Sequence, residues 1–243
     1  DVMTDRSANE VVCEFVRGKI RDIVDDPETA EKLCPKDYPI GAKRLCIDNG
    51  YFEMYNRDNV ALVDVKSAPI IEFTETGLKT ADATYDLDVI VMATGFDAVT
   101  GALNRIDVEG VDGIKLKEKW RDGPTSYFGF LVAGFPNLFM IHGPLSPGAL
   151  SQMISSGEWQ VDFTASVIDD LENDGYSRID TTEKAEQNWA LEVNNAASHT
   201  VHNLADSWYN GKNIEGKKGG FMIYVGGFPR YRELSESAIR NDY

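Results

Sequence analysis

Residues 88–95, which read DVIVMATG, decide the expected fold of this chain. The run from Val89 to Ala93 is continuously apolar and rich in β-branched residues, which is typical of a strand buried on both faces in a parallel sheet covered by helices. Gly95 follows after Thr94 and allows backbone to approach a flat or phosphorylated ligand closely. Ligands of open α/β sheets lie outside the carboxyl ends of the strands. An ordinary turn after a strand would have the same five-residue pattern at 93–97.

The spacing of apolar residues along the rest of the chain predicts alternating strands and helices. Strands are predicted at 59–65, 138–141 and 221–225, and a hairpin arm at 78–85. Helices are predicted over 9–32, broken near Pro27, and over 151–172 and 182–197. Strands that alternate with helices indicate an α/β fold class.

Two adjacent cations, Lys43 and Arg44, lie in the run GAKRLCID at 41–48. The composition of this run predicts a strand that enters a loop at Asp48. On extended backbone the two side chains would point to opposite faces, so one strand end could serve two anionic groups, such as a nucleotide phosphate and a reactive oxyanion. The alternative is a solvated basic pair on a loop.

The composition limits the possible partners. The chain has 243 residues, with 24 Lys plus Arg against 40 Asp plus Glu, for a net charge of −16. Such acidity disfavours nucleic-acid binding. Three cysteines without C-x-x-C spacing predict free thiols in a reducing compartment, and the apolar runs are too short for a membrane helix. We therefore expect a cytoplasmic protein, and the start at Asp1 without Met suggests a fragment.

Seven blocks together give a more specific expectation. They are GAKR at 41–44, YFEMYNRDNV at 51–60, ATGFD at 93–97, AGFPNLF at 133–139, GPLSPGALS at 143–151, SWY at 207–209 and YVGGFPRYR at 224–232. In this order they resemble the carboxyl-terminal half of Baeyer–Villiger monooxygenases, of the phenylacetone and cyclohexanone type. The resemblance implies the rear half of a flavoprotein monooxygenase with two Rossmann-like dinucleotide-binding domains and a helical segment.

The resemblance also implies a chemistry and a set of site residues. Family members use FAD and NADPH to insert one oxygen atom of O₂ beside a ketone carbonyl, which gives an ester or lactone. Arg44 matches the catalytic arginine, whose permanent charge can hold an oxyanion next to the flavin. Lys43 matches the lysine that contacts the NADP 2′-phosphate. Further matches are Trp208 at the NADP ribose, Met153 beside the flavin ring, and Pro147, Gly148, Ala149 and Leu150 on the loop that lines the substrate pocket.

The sequence departs from the family pattern at the cofactor fingerprints. It contains no G-x-G-x-x-G and lacks the family's F-x-G-x-x-x-H-x-x-x-W-P/D fingerprint. The resemblance therefore implies that residues 1–40 belong to a helical insert, 41–90 to the last part of the NADP domain and 91–243 to the carboxyl-terminal part of the FAD domain. The expected partner of the chain is the missing amino-terminal half of the same enzyme. Two alternatives stay open: another FAD/NADPH-dependent monooxygenase that oxygenates nitrogen or sulfur, and a non-catalytic fragment.

Three other patterns resemble functional motifs, but each favours an ordinary structural role. The run at 211–218 is close to a P-loop, but Lys218 stands where Ser or Thr must bind magnesium. His199 and His202 have a spacing that could bind a metal ion, but no third ligand is matched, so no metal site is predicted. Ser146 lacks the first glycine of a nucleophile elbow.

Overall fold

The computed structural model describes residues 1–148, 151–214, 216, 218 and 220–241. The chain divides into two compact units, Asp1–Gly95 and Phe96–Tyr243. None of the helices in these described ranges is both long enough and apolar enough to cross a membrane.

Two helices form the amino-terminal part of the first unit. Helix α1 spans Arg6–Ile23 and helix α2 spans Pro27–Leu33. Each begins with an aspartate cap: the Asp5 carboxylate accepts from Ala8 N–H at 2.9 Å, and the Asp26 carboxylate accepts from Thr29 N–H at 2.8 Å. The prediction of helix over 9–32 with a break near Pro27 is therefore confirmed.

Apolar side chains from the carboxyl-terminal part of α1 and from α2 pack the two helices together. Ile20, Val24, Ala30 and Cys34 form a small buried cluster. Phe15, also on α1, lies outside this cluster and is 64% exposed. A 3₁₀ turn at Glu53–Asn56 adds Phe52 and Tyr55 to the edge of this cluster.

A three-stranded antiparallel sheet follows. Strands β1 (Ile70–Thr74), β2 (Gly77–Thr80) and β3 (Thr84–Asp86) pair in that order, with Phe73 opposite Leu78 and Leu78 opposite Tyr85. The segment 78–85, predicted as one hairpin arm, instead contains two paired strands, β2 and β3, with a short connection at 81–83.

The other strands predicted in this unit do not form. Residues 44–48, 60–64 and 89–97 have no regular secondary structure. Val91, predicted to be buried on both faces, is 81% exposed, and Ile47 is 98% exposed. A strand needs a neighbour to satisfy its backbone N–H and C=O groups, and none of the described strands pairs with these segments. The predicted parallel sheet is therefore absent from the described part of the chain.

The second unit is built mainly from helices. Its helices are α3 (Leu116–Lys119), α4 (Met153–Asn173), α5 (Glu183–Ser198) and α6 (Phe228–Asn241), with 3₁₀ turns at Leu103–Arg105, Val111–Gly113, Trp120–Asp122 and Val201–Leu204. Helices α4 and α5 match the predicted ranges, and the Thr182 hydroxyl caps α5 by accepting from Ala185 N–H. Helices α3 and α6 were not predicted.

An aromatic cluster forms the core of this unit. Tyr231 on α6 is fully buried, and its hydroxyl donates to Phe128 O at 2.5 Å. Aromatic side chains around it lie with ring centroids 5.8 to 6.3 Å away; they are Phe128, Phe130, Trp159, Trp189, Tyr224 and Phe228. These distances suit edge-to-face and offset contacts, and the cluster joins α4, α5 and α6.

The strands predicted at 138–141 and 221–225 are wrong as strands, although residues 221–224 are buried as expected. Each segment makes isolated backbone hydrogen bonds instead of a ladder. Met140 N–H donates to Phe130 O at 2.9 Å, and Met222 N–H donates to Tyr209 O at 2.9 Å. Neither segment therefore has the repeated pairing of a sheet.

The AGFPN block is held by a buried ion pair and an asparagine. Glu186 accepts from Ala133 N–H at 2.9 Å, and Lys119 Nζ donates to Ala133 O at 3.0 Å while lying 3.1 Å from Glu186. Asn137, at φ 61°, exchanges two hydrogen bonds of 3.0 Å with the backbone of Ile179. The motif is thus a structural junction between α3, α5 and the chain that precedes α5.

Candidate functional site

The basic pair lies beside a pocket of about 310 Å³ in the first unit. Lys43 and Arg44 are exposed and line it. Lys43 Nζ lies 4.4 Å from the centroid of the Tyr38 ring, which is a cation–π contact. The remaining lining residues are Cys13, Val16, Ile20, Pro35, Tyr38, Ile40, Gly41, Leu45, Cys46 and Phe52.

Local backbone determines where the two cations lie. Gly41 has φ +84°, and a Cβ there would lie 2.6 Å from Met3 Sδ. The next residue, Ala42, is fully buried, and its N–H donates to Pro39 O at 3.2 Å. The strand that would have placed Lys43 and Arg44 on opposite faces does not form. The cations instead follow a buried tight turn.

Asn9 supports this turn and was missed by the sequence analysis. It lies on the buried face of α1 and is 1% exposed, and its side chain bonds to both backbone groups of Ile40. A sequence signal was available: Asn9 lies four residues before Cys13 and eleven before Ile20, and this spacing places all three residues on the buried face of α1. A polar residue on such a face needs a buried hydrogen-bond partner.

The other predicted site residues belong to the second unit. Pro147 is buried, and Gly148 is partly buried with φ +44°. Ala149 and Leu150 lie outside the described residues. Met153 begins α4 and is 48% exposed.

Met222 connects the 144–148 loop with the segment that carries Trp208. Its carbonyl accepts from Leu145 N–H at 2.8 Å, and its N–H donates to Tyr209 O at 2.9 Å. Trp208 is partly buried, with its ring centroid 4.4 Å from that of Tyr209. Within this unit Met222 therefore links the loop that contains Pro147 and Gly148 to the segment that contains Trp208.

A histidine holds the start of α4. His142 Nε2 lies 2.9 Å from Met153 O, and His142 N–H donates to Gln160 Oε1 at 2.7 Å. Gly157 leaves room for this ring, because a Cβ there would lie 2.9 Å from Nε2. His142 follows the segment predicted as a strand at 138–141, and its role was not predicted; the glycine inside α4 was the available sequence signal.

The shifted pKa values lie on structural groups. Burial raises the pKa of Tyr224, and it raises that of Tyr231 well above the ordinary value. Burial, followed by the hydrogen bond with Tyr51, raises the pKa of Tyr55 to about 12. All three phenols are neutral near pH 7; Tyr231 donates to Phe128 O and Tyr55 donates to the Tyr51 hydroxyl.

The described residues of the metal-site and nucleophile-elbow patterns have structural surroundings. No group of three His, Cys, Asp or Glu is arranged to hold a metal ion within the described ranges. The buried His202 packs against the rings of Tyr209 and Phe221. Ser146 is 2% exposed, and its carbonyl accepts from Tyr224 N–H, so it has no nucleophile-elbow environment. The 211–218 run lies partly outside the described residues.

The donors at the first-unit pocket fit an anionic cofactor. An ammonium and a guanidinium lie together at its lining, in a chain of net charge −16. Lys43 can bind a phosphate as a point charge, and Arg44 offers a planar fork that suits oxyanions. The donor chemistry therefore suits the phosphate-bearing part of a dinucleotide.

Comparison with known proteins gives consistent relationships. No protein-family model matches the chain. It is 40% identical over 244 residues to a Baeyer–Villiger monooxygenase of Pseudooceanicola batsensis, covering all of this chain and 44% of the relative. It is also 40% identical over 244 residues to a phenazine N-monooxygenase of Lysobacter antibioticus, with the same coverage.

Solved structures agree along the whole chain. The structure matches the crystal structure of OTEMO in complex with FAD and NADP with a TM-score of 0.95 and 41% identity, over 100% of this chain and 45% of that one. The chain thus spans about half the length of the proteins that it matches.

Proposed function

Because the chain belongs to the Baeyer–Villiger monooxygenase family and corresponds to the carboxyl-terminal half of its members, we propose that the protein containing it is an FAD- and NADPH-dependent monooxygenase. It would insert one oxygen atom of O₂ beside a ketone carbonyl and give an ester or lactone. The observation that carries the proposal is the exposed pair Lys43–Arg44 at a pocket, in a chain whose fold follows these flavoproteins throughout.

Arg44 is the proposed catalytic residue. Its guanidinium stays charged at any working pH, so it can hold the negative charge that develops on oxygen during insertion. Lys43 would bind the 2′-phosphate of NADP(H), and Trp208 would donate to the ribose through its indole N–H. The backbone of Met153 would lie beside the flavin. Bound FAD and NADPH would supply the electrons and the activation of O₂.

The substrate would be a ketone bound against the loop that contains Pro147, Gly148, Ala149 and Leu150. Small residues on this loop favour a bulky substrate. The proposed domain division is 1–40 in a helical insert, 41–90 in the NADP domain and 91–243 in the FAD domain. Free thiols at the three cysteines favour the cytoplasm.

The proposed partner is the amino-terminal part of the same enzyme. Val89, Val91 and Met92 are 76%, 81% and 64% exposed in a segment whose backbone has strand-forming sequence and no strand neighbour among the described elements. Neighbouring strands from the amino-terminal part would pair with this segment. We expect the isolated 243 residues not to bind FAD tightly, because they lack the glycine loops that anchor diphosphates. Stoichiometric binding in a flavin titration would contradict this expectation.

A second candidate is N-oxygenation with the same cofactors. The similarity to a phenazine N-monooxygenase favours it, since that relative is as similar to the chain as the Baeyer–Villiger relative. A comparison of ketone and heteroaromatic amine substrates, with product mass as the measurement, separates the two candidates.

The test of the catalytic assignment is Arg44→Ala in the whole protein. We expect ester formation to be abolished while NADPH oxidation continues, because the charge on Arg44 acts on oxygen insertion. The matched control is Arg6→Ala, an exposed arginine at the start of α1, which should leave both rates unchanged. Product chromatography and absorbance at the NADPH band measure the two rates, and an equal loss of both would count against the role of Arg44.

A further inference from the structure

We propose that Asn9 is a positioning residue that fixes Lys43 and Arg44 relative to helix α1. The inference rests on the proposed function for the roles of the two cations. It also adds a residue on a different element, 34 positions before Lys43 in the chain.

The Asn9 side chain forms hydrogen bonds with both the N–H and the C=O of Ile40, as the backbone of a neighbouring strand would. Its Nδ2 donates to Ile40 O at 2.9 Å and to Val2 O at 2.8 Å, and its Oδ1 accepts from Ile40 N–H at 3.1 Å. The thiol of Cys13 adds a donor to Oδ1 at 3.2 Å. Asn9 is 1% exposed, so water does not substitute for these bonds.

Besides Asn9, α1 contacts the turn through a weaker hydrogen bond, in which Ile40 N–H also donates to Cys13 Sγ at 3.3 Å. Residues 44–48 have no strand neighbour among the described elements, and the preceding bond, Ala42 N–H to Pro39 O, is local to the turn. Only Gly41 and the buried Ala42 separate Ile40 from Lys43. A displacement of the Ile40 backbone would therefore also displace Lys43 and Arg44.

A second asparagine anchors the far end of the same segment. Asn56 donates to Ile23 O at 2.7 Å and accepts from Asp25 N–H at 2.9 Å, at the carboxyl end of α1. The segment that carries Lys43 and Arg44 is thus attached to both ends of α1 by asparagine side chains. Asn9 is the buried attachment and the one nearer to the cations.

The geometry gives this attachment a functional consequence. A small displacement of a charged group from its ligand lowers the rate strongly, since binding and catalysis depend on placement. Without Asn9, Lys43 would sample positions away from the cofactor phosphate, and the enzyme would distinguish NADPH less well from NADH.

The first measurement is hydrogen exchange of residues 40–46 in the whole protein. Asn9→Leu removes every hydrogen bond of the amide while keeping the number of side-chain heavy atoms, and we expect faster exchange in this segment. Ala30→Gly is the matched control, because it weakens the buried contact between α1 and α2 without touching Asn9 or Ile40. Unchanged exchange in Asn9→Leu, or equal acceleration in Ala30→Gly, would overturn the proposal.

The second measurement is the ratio of kcat/KM for NADPH to kcat/KM for NADH. We expect Asn9→Leu to lower this ratio about tenfold, the scale of one lost charge-assisted interaction, and Ala30→Gly to preserve it. Lys43→Met is measured in parallel. If Lys43→Met lowers the ratio and Asn9→Leu does not, the inference fails while the proposed function stands. If Lys43→Met leaves the ratio unchanged, the proposed role of Lys43 fails, and the inference fails with it.

A conservative variant keeps the test usable if Asn9→Leu does not fold. Asn9→Asp retains the acceptor for Ile40 N–H and removes both Nδ2 donors. We expect it to accelerate exchange at 40–46 and to lower the NADPH preference by less than Asn9→Leu. Wild-type values in both measurements would refute the positioning role.

Discussion

The buried ion pair between Lys119 and Glu186 makes a quantitative prediction for the second unit. The side chains are 13% and 3% exposed, respectively, and their charged atoms lie 3.1 Å apart. Together they satisfy the N–H and C=O of Ala133. Lys119→Met would leave the Glu186 carboxylate buried without its cation.

Breaking one side of a buried pair costs about 3–5 kcal/mol. Because Lys119 keeps some contact with water, we expect the lower end, about 3 kcal/mol of unfolding free energy. For a unit of this size, that loss lowers the melting temperature by about 6–12 °C. The double variant Lys119→Met/Glu186→Leu removes both charges and should be less destabilised than the sum of the single variants by about 2 kcal/mol.

The assay is urea unfolding followed by tryptophan fluorescence, with thermal melts in parallel. The control is Lys212→Met, whose exposed ion pair with Asp206 has a similar distance of 3.0 Å and side chains 52% and 75% exposed. This surface pair should contribute no more than about 1 kcal/mol. Equal losses in Lys119→Met and Lys212→Met, or additive effects in the double variant, would show that burial does not determine the stability contribution of the pair.

Two further predictions concern backbone sterics and pH. Gly129→Ala should destabilise the protein more than Gly175→Ala by at least about 1 kcal/mol in urea unfolding: both glycines have φ +77°, but a Cβ at Gly129 would lie 2.7 Å from Ser146 Cβ and one at Gly175 meets nothing. Equal losses would contradict the steric argument. The side-chain hydrogen bonds of Arg21 and Lys36 lower the pKa of Glu31 from 4.5 to about 2, so its stabilising contribution is complete above pH 4.5 and is lost as the pH falls through 2. Glu31→Gln should flatten the acid dependence of unfolding in that window, and high salt should reduce the difference.

The helices of this chain followed from local signals. The predicted helices α1, α2, α4 and α5 carry an amphipathic period and a capping side chain at the start, both of which depend on near neighbours in the sequence. Helix α6 was missed because its turn-rich start at 226–229 resembles the end of a strand. The position of helix α6 is determined instead by Tyr231, which packs in the aromatic core.

The predicted strands failed for a different reason. The run at 89–93 has the composition of a buried strand, but composition cannot supply the neighbouring backbone on which a strand depends. In the first unit this run stays exposed, whereas 221–224 is buried through single hydrogen bonds to Tyr209, Leu145 and Ser146. The same apolar pattern therefore had two outcomes.

The sequence alone determined helices α1, α2, α4 and α5, the acidic net charge and, through seven ordered blocks, the family and the candidate cations Lys43 and Arg44. Tertiary structure alone decided how those cations are held. The bonds from Asn9 to Ile40 and from His142 to Met153 join residues 31 and 11 positions apart. Such contacts depend on how helices pack and on which polar groups become buried together, and the local pattern of residues marks the positions without giving their partners.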